Sequence, residues 1–258
     1  MKSRGRAGGS KASGSNRKGV RRGAAGGTVW RRIGGRGRWW TRALRWTLAL
    51  LAAWVAACLL SLVLMKWVMP PVTMVQAQRR VESWFAKGKY EKRREGAALR
   101  RISPQLQHAV IAAEDGRFYQ HHGIDFEELG KIYEDVVEDG EGLRGGSTIT
   151  QQLVKNLFFT THGNPLRKAA EFGLAPAADW ILGKQRVLEL YLNVIEWGPG
   201  VYGAEAAARY HYRTSAAALS RDQAARLAAV IPSPRRRRPA RMDKYAGVIE
   251  RRMAAMGW

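Results

Sequence analysis

The sequence contains a single cysteine, Cys58, among its 258 residues. One thiol can form no intrachain disulfide, and it cannot supply a cysteine cluster for a metal. The chain is therefore expected to fold without a covalent crosslink. Cys58 lies inside an apolar run, where a cysteine behaves as a small hydrophobic side chain.

Acidic residues are also scarce, because 21 Asp and Glu accompany 44 Lys and Arg and leave a formal net charge of +23. Residues 1–45 hold 14 of the basic residues and no acidic residue. Gly, Ser and Ala fill most of the remaining positions, so this tail cannot bury enough apolar surface to offset chain entropy, and we expect it to be disordered. Its charge suits binding to anionic lipid or nucleic acid, and equally a signal that sets membrane topology.

Charge is absent altogether from Trp46 to Met65, a run of 20 residues. A helix of that length crosses ~30 Å of hydrocarbon. Tryptophans, which favour the headgroup level, flank the run at Trp39, Trp40 and Trp67. We predict a transmembrane helix over residues 46–68 with a cytoplasmic tail, because the tail's positive charge lies on the N-terminal side. The run is too long and too far from the N-terminus for a cleaved signal peptide, so it is predicted to be an uncleaved anchor.

The segment that follows, residues 69–96, is predicted to be a juxtamembrane linker. It opens with the helix-breaking sequence "PPVT" and then mixes Val, Trp and Phe with many basic residues. Such a stretch could lie in the membrane interface with Trp84 and Phe85 as anchors, or it could be solvated. The residues alone leave both interpretations open.

Residues 97–258 have the periodicity of helices. In "KQRVLELYLNVI", residues 184–195, apolar side chains recur with a period of about 3.6 residues. In "LSRDQAARLAAVIPSP", Ser220 and Gln223 match a capping box, and Pro232 is expected to stop the helix. No alternating strand of useful length is present. We predict a mainly α domain.

The stretch "AAEDGRFYQHHGID", residues 112–125, concentrates carboxylates and histidines after an apolar run. It could be a metal site, a general acid or base at the end of a helix, or a solvated loop. Adjacent histidines point in different directions on most backbones, which disfavours a zinc site. A helix from about Gln105 would place Glu114 and Asp115 at its C-terminal end, where burial would raise the pKa of a carboxyl and suit it to accept a proton.

A second stretch, "RGGSTITQQLVKNLFF" at residues 144–159, leads through glycines into a helix on which Thr148 and Gln151 match a capping box. Free N–H groups at such a helix N-terminus favour a phosphate. An ordinary loop before a well-capped helix explains the pattern equally simply. Further along, "RKAAE" places Arg167 and Glu171 at i and i+4, which by itself predicts a surface ion pair.

Four blocks in this order, behind a single anchor, resemble the bacterial peptidoglycan glycosyltransferases of glycosyltransferase family 51: "AVIAAEDGRFYQHHGID", "RGGSTITQQLVKNLFF", "RKAAE" and "VLELYLNVIEWGPGVYGAEAAARYHY". The resemblance covers roughly residues 97–235. It implies a lysozyme-like, mainly α glycosyltransferase domain over residues 97–258 that polymerises lipid II, a lipid-linked disaccharide-pentapeptide. No SxxK nucleophile motif follows the blocks, so the resemblance is to the monofunctional transglycosylases, which lack a transpeptidase domain.

The resemblance also implies a mechanism. Glu114 occupies the position of the general base, which takes the proton from the sugar 4-hydroxyl of one lipid II while that oxygen attacks the anomeric carbon of the growing chain. Undecaprenyl pyrophosphate leaves and a β-1,4 linkage forms. Lys155, Arg167 and Lys168 match the positions that stabilise the diphosphate, and Glu171 matches the second family carboxylate, which assists them.

Eight further residues fall on positions that contact substrate in the family: Asp115, Phe118, His121, Ser147, Thr148, Gln151, Gln152 and Asn156. Tyr191 is more typical of a core residue. No cofactor is required and no metal site is predicted, although a divalent cation such as Mg²⁺ or Mn²⁺ could bridge the diphosphate. The expected partners are lipid II, the growing glycan chain, the lipid bilayer and other cell-wall synthesis proteins. The expected location is the bacterial cytoplasmic (inner) membrane, with the catalytic domain on its extracytoplasmic, periplasmic side.

One position departs from the family pattern, which commonly has an arginine where this chain has Gly163. A lysozyme-like hydrolase would share the fold and the catalytic Glu, but it would not explain the anchor and the cationic residues. The run "RRRR" at residues 235–238 is usually a solvated basic face, and next to a membrane it could hold the domain against anionic lipid. A membrane-tethered nucleic-acid binder would explain the charge of the basic tail. The acidic segment "FEELGKIYEDVVEDGE" argues against it, so no nucleic acid is expected as a partner.

Overall fold

The computed structural model describes residues 37–86, 90–139 and 146–258, so most of the predicted disordered tail lies outside the described residues. The chain divides into two units, residues 1–49 and 50–258. Helices dominate the described part, as predicted. They are α1 (Gly37–Leu64), α2 (Met74–Phe85), α3 (Pro104–Glu114), α4 (Phe126–Asp139), α5 (Ile149–Phe158), α6 (Pro165–Leu182), α7 (Lys184–Val194), α8 (Ala204–Tyr212), α9 (Arg221–Val230) and α10 (Asp243–Ala255).

Helix α1 is consistent with a single-pass membrane anchor. Within the described residues, its stretch Trp39–Leu64 is the one helix long and apolar enough to cross a membrane. The helix begins before Trp46, the first residue of the predicted span, because no glycine or proline separates Trp46 from Trp39. In the second unit, the C-terminal half of α1 buries Cys58 and Leu62, as expected for a cysteine that acts as a small hydrophobic residue.

The predicted juxtamembrane linker contains a helix that was not predicted, because residues 74–85 form α2 and α2 packs against α5. Thr73 caps the helix by accepting a hydrogen bond from the N–H of Gln76. Gln78 binds Thr161 twice, with its Nε2 2.8 Å from Thr161 Oγ1 and its Oε1 2.7 Å from the Thr161 N–H. Trp84 and Phe85 at the end of α2 are 69% and 85% exposed, so both side chains are available to a membrane surface.

A small sheet was not predicted. Its strands are β1 (Arg93–Arg94), β2 (Glu196–Gly198) and β3 (Val201–Tyr202), in the order β1-β3-β2, with β1 parallel and β2 antiparallel to β3. Strands of two or three residues are too short to show the alternating pattern by which a strand is recognised. The sheet ties the segment after α2 to the turn between α7 and α8.

The helices of the second unit form two groups around one core. Helix α3 packs against α9 and α10, and α5 packs against α6 and α7. Both predicted capping boxes are confirmed, since Thr148 and Gln151 start α5 and Ser220 and Gln223 start α9. Well-capped starts matter here because α5 and α9 are each only ten residues long.

Gly123 lies where three segments of the chain meet. Its φ of +84° is in the region that side chains avoid, and a Cβ there would lie 2.6 Å from the carbonyl oxygen of Ala175 in α6. Its own carbonyl oxygen accepts a hydrogen bond of 2.6 Å from Thr148 Oγ1, at the start of α5. The loop after α3 is therefore fixed to both α5 and α6 at a position that only glycine fits.

We expect Gly123→Ala to lower the free energy of unfolding by about 2 kcal/mol or more, because the new methyl group adds a backbone clash to a strained φ. Gly173→Ala is the matched control, since Gly173 lies in α6 with open space around it. That substitution should raise stability slightly, by up to about 1 kcal/mol, through helix propensity. Thermal unfolding of the detergent-solubilised variants measures both, and equal melting temperatures for the two would contradict this account.

Candidate active site

Glu114 is the last residue of α3 and lies on an open cleft. The helix starts at the N-cap Ser103, and Asp115 follows Glu114 in a non-helical conformation that ends it. The cleft has a volume of about 690 Å³. It is lined by residues from the end of α3, from α4, from the loop before α5 and from the end of α10, including Glu114, Glu128, Ser147, Arg252 and Met256.

The Glu114 carboxyl is partly exposed and strongly desolvated. Burial raises its pKa above the usual range, and the negative charge of Asp115 adds to that rise. A hydrogen bond of 2.8 Å from Gln152 Nε2 to Glu114 Oε2 opposes the shift, as do the positive charges of Lys155 and Arg237. The net effect is a carboxyl whose pKa is raised toward neutral pH, as the sequence predicted for this helix end.

Asp115, by contrast, is buried and fully engaged by the protein. Its Oδ1 lies 2.9 Å from His121 Nε2, and its Oδ2 accepts a hydrogen bond of 2.9 Å from the N–H of Ile149. The two neighbouring carboxylates therefore differ in role. Glu114 faces the cleft, and Asp115 joins the end of α3 to the start of α5.

Three N–H groups at the start of α5 are bound within the protein. The Ile149 N–H binds Asp115, the Gln151 N–H binds Thr148 Oγ1, and the Thr148 N–H binds Gln151 Oε1. These three donors are therefore not free for a phosphate, and the carboxylate that binds Ile149 lies 34 residues away in the sequence.

A metal at the "HHGID" segment would have to use His121, Asp115 and Asp125, whose side-chain ligand atoms lie within 4.8 Å of one another. Protein donors already occupy these carboxylates. Asp125 accepts a hydrogen bond from the N–H of Glu128 and pairs with Arg117 at 3.3 Å. We therefore assign this cluster a structural role in holding the loop between α3 and α4.

A cationic cluster lies on α5 and α6. Glu171 is buried and pairs with two basic residues, since its Oε1 lies 3.2 Å from Arg167 Nε and its Oε2 lies 3.8 Å from Lys168 Nζ. The predicted i, i+4 pair is present, although it is buried at Glu171 rather than a surface pair. Lys168 also donates a hydrogen bond of 2.8 Å to Ser147 Oγ, which connects the cluster to the cleft.

Lys155 lies between the two groups. Its charge interacts with Glu114 on one side and with Glu171, Arg167 and Lys168 on the other. Burial lowers the pKa of the Lys155 ammonium, and the two carboxylates only partly compensate for this. No carboxylate among the described residues lies within ion-pairing distance of Lys155, so its charge is available to an anionic ligand.

The other predicted contact residues lie mostly behind the cleft. Phe118 has no exposed surface, and the ammonium of Lys184 lies 4.7 Å from the centre of its ring. His121, Thr148, Gln151 and Asn156 are also buried, and Asn156 Nδ2 donates to the Gln152 carbonyl oxygen. Of these buried residues only Thr148 is part of the cleft lining, while Ser147 and Gln152 remain partly exposed.

Two neighbours of Glu114 were not predicted. Arg237 belongs to the run that was interpreted as a solvated face, but its Nη1 donates a hydrogen bond of 2.8 Å to the Ala229 carbonyl oxygen. Tyr191 is a core residue, as predicted, and its hydroxyl in addition binds Gln152. No local pattern indicates either contact. Gly163, the departure from the family pattern, is exposed and has open space where a side chain would begin.

Comparison with known proteins finds relatives over most of the chain. A sequence model described as Transglycosylase matches residues 80–256. A biosynthetic peptidoglycan transglycosylase of Laribacter hongkongensis is 40% identical over 221 residues, which cover 81% of this chain and 97% of that protein. The protein of the same name from Pseudomonas entomophila is 42% identical over 209 residues, covering 79% and 88%. A third, from Methylobacillus flagellatus, is 52% identical over 157 residues, covering 59% and 69%.

The matched segment extends from the middle of α2 to the end of α10 and so includes Glu114, Lys155 and Glu171. It takes in more than half of the chain, and relatives far above 30% identity extend over most of it. The chain therefore belongs to the transglycosylase family.

Proposed function

We propose that this protein polymerises lipid II into β-1,4-linked glycan chains and releases undecaprenyl pyrophosphate. The observation that carries the proposal is the arrangement on α3, α5 and α6. A desolvated carboxylate, that of Glu114, lies on an open cleft. Lys155, which has no ion-pair partner among the described residues, interacts with it on one side and with the ion pairs of the buried Glu171 on the other. Relatives named as peptidoglycan transglycosylases support the substrate class.

Glu114 is the general base in the proposed reaction. It takes the proton from the 4-hydroxyl of the acceptor sugar while that oxygen forms a bond to the anomeric carbon of the donor. The bond from the anomeric carbon to the diphosphate oxygen breaks, and its electron pair leaves with the diphosphate. A positioned carboxylate whose pKa is raised toward neutral pH is suited to this task, because it binds the proton more strongly than an ordinary glutamate.

The leaving diphosphate requires positive charge that is already in position. Lys155, Arg167 and Lys168 supply it in this proposal, and Glu171 holds the last two through its ion pairs. Fixed cations in a desolvated site stabilise developing negative charge without reorganising, which makes them effective in the transition state. The reaction as proposed uses no cofactor of the protein's own.

We also propose that α1 anchors the protein in the bacterial cytoplasmic membrane with residues 1–45 in the cytoplasm and the catalytic domain outside. The excess of basic residues before α1 supports this orientation. Lipid II carries its reactive sugars at the membrane surface, so an anchored domain would meet its substrate there.

Single-cysteine labelling tests the orientation, because Cys58 is the chain's only cysteine and is buried. In a Cys58→Ala background, Gln185→Cys on the exposed side of α7 should react with a membrane-impermeant maleimide in intact spheroplasts. Ser10→Cys in the tail should react only after the membrane is broken. The reverse pattern would contradict the proposed topology.

Glu114→Gln should reduce polymerisation of labelled lipid II by about 10²-fold or more, because the amide keeps the shape but cannot accept the proton. The melting temperature should stay near that of the parent. Asp115→Asn makes the same change at the next residue and should mainly lower the melting temperature, since it weakens the contacts to His121 and Ile149. Near-parental polymerisation by Glu114→Gln would end the assignment of Glu114 as the base.

Lys155→Arg should move the alkaline limb of kcat/KM to higher pH. Burial lowers the pKa of Lys155, so the parent loses this charge, and with it activity, at a lower pH than an ordinary lysine would allow. A guanidinium keeps its proton throughout the accessible range. Lys168→Arg is the matched comparison, because burial lowers the pKa of Lys168 too. An alkaline limb that responds only to Lys168→Arg would assign the titration to Lys168 instead.

A further inference from the structure

Three side chains from three helices form a hydrogen-bonded chain that ends at Glu114. The Tyr191 hydroxyl, on α7, donates to Gln152 Oε1 at 2.8 Å. Gln152, on α5, donates from Nε2 to Glu114 Oε2 at 2.8 Å. Tyr191 has no exposed surface, so it cannot contact a substrate in the cleft.

The surroundings of the Gln152 amide allow only one orientation. Its nitrogen faces two acceptors, Glu114 Oε2 and the Ser147 carbonyl oxygen at 3.3 Å. A flipped amide would direct its oxygen at both of them, and neither the ionised carboxylate nor the carbonyl can donate. The amide oxygen faces the Tyr191 hydroxyl, which donates a hydrogen bond to it and so stabilises this orientation.

Tyr191 is suited to act as a permanent donor. Burial raises the pKa of its phenol well above the usual value, and the nearby charges of Glu114 and Asp115 raise it further. The hydroxyl therefore keeps its proton at neutral pH and in mildly alkaline solution. Within the described residues, Glu114 Oε1 accepts no hydrogen bond, so the chain occupies one carboxylate oxygen and leaves the other free.

We propose that Tyr191 is a positioning residue that acts through Gln152 to hold Glu114 with Oε2 bound and Oε1 free to take the proton from the acceptor hydroxyl. This inference rests on the proposed function, because it assigns the base one reactive oxygen. A carboxylate held in one rotamer presents that oxygen in a constant position, whereas a freely rotating one does so only part of the time.

Other charged groups also face Glu114, and the test has to separate Tyr191 from them. Asp115 lies next to Glu114 at the end of α3, Lys155 is on α5, and Arg237 is in the segment after α9. Arg252, on α10, lies on the wall of the same cleft. None of them binds the Gln152 side chain. Removing the Tyr191 hydroxyl therefore alters the hydrogen bond to Glu114 while it leaves these charges in place.

The experiment measures kcat/KM for lipid II polymerisation against pH in the parent, Tyr191→Phe, Gln152→Ala and the double variant. The hydrogen bond from Gln152 lowers the pKa of Glu114, so weakening it should raise that pKa. The acid limb of Tyr191→Phe should move to higher pH by about 0.5 to 1 unit, the scale of one hydrogen bond. Rates on that limb should fall about three- to tenfold, which is the same shift on a logarithmic scale.

The double variant should match Gln152→Ala, because Tyr191 has nothing to orient once the amide is gone. An acid-limb shift in the double variant equal to the sum of the two single shifts would overturn the proposed hydrogen-bonded chain. Tyr202→Phe is the matched control, since Tyr202 is equally buried and its hydroxyl lies 3.2 Å from that of Tyr90. It should lose stability without moving the acid limb.

An acid limb in Tyr191→Phe that superimposes on that of the parent would overturn the positioning role and leave the proposed function intact. A parent protein that polymerises no lipid II at any pH would instead overturn the proposed function itself. If Tyr191→Phe does not fold, the test rests on Gln152→Ala. An acid limb that does not move in Gln152→Ala would show that Gln152 does not influence the Glu114 carboxylate, and it would overturn the proposal.

Discussion

The site depends on one buried carboxylate. Asp115 binds the N–H of Ile149, so the last turn of α3 and the first turn of α5 are joined across 34 residues of sequence. Glu114 precedes Asp115 and Gln152 lies one turn beyond Ile149, so the same contact sets the distance between the Glu114 carboxylate and its hydrogen-bond donor. A charged acceptor at a helix N-terminus is a strong contact, because it meets both a free N–H and the positive end of the helix dipole.

Helix α5 carries three polar side chains of the site on one face. Gln152, Lys155 and Asn156 follow one another at the i, i+3 and i+4 spacing of neighbouring positions. The first meets Glu114, the second lies between Glu114 and the ion pairs of Glu171, and the third fixes the helix backbone. The desolvation that raises the pKa of Glu114 also lowers that of Lys155. Burial thus makes the Glu114 carboxylate a stronger proton acceptor. It also narrows the pH range over which Glu114 and Lys155 are both charged.

Local rules recovered the mainly helical character, the two capping boxes and the place of Glu114 at a helix end, because each depends on residues within one or two turns. They did not recover helix α2 and its docking, the short strands or the bond from Tyr191 to Gln152, since these arise from contacts between distant segments. Nor did they indicate that Asp115 occupies the N–H of Ile149 at the start of α5. The roles of Lys155, Arg167 and Glu171 came from family resemblance, and spacing alone predicted only an ion pair.

The C-terminal half of α1 belongs to the same folded unit as α5, and the docked helix α2 follows it after a short turn. With α1 in the membrane, as proposed above, the unit that carries Glu114 is joined directly to its anchor. Encounters with the proposed lipid-borne substrate would then be a search in two dimensions, in which the relevant concentration is the number of substrate molecules per unit of membrane area and dilution of the surrounding fluid has no effect.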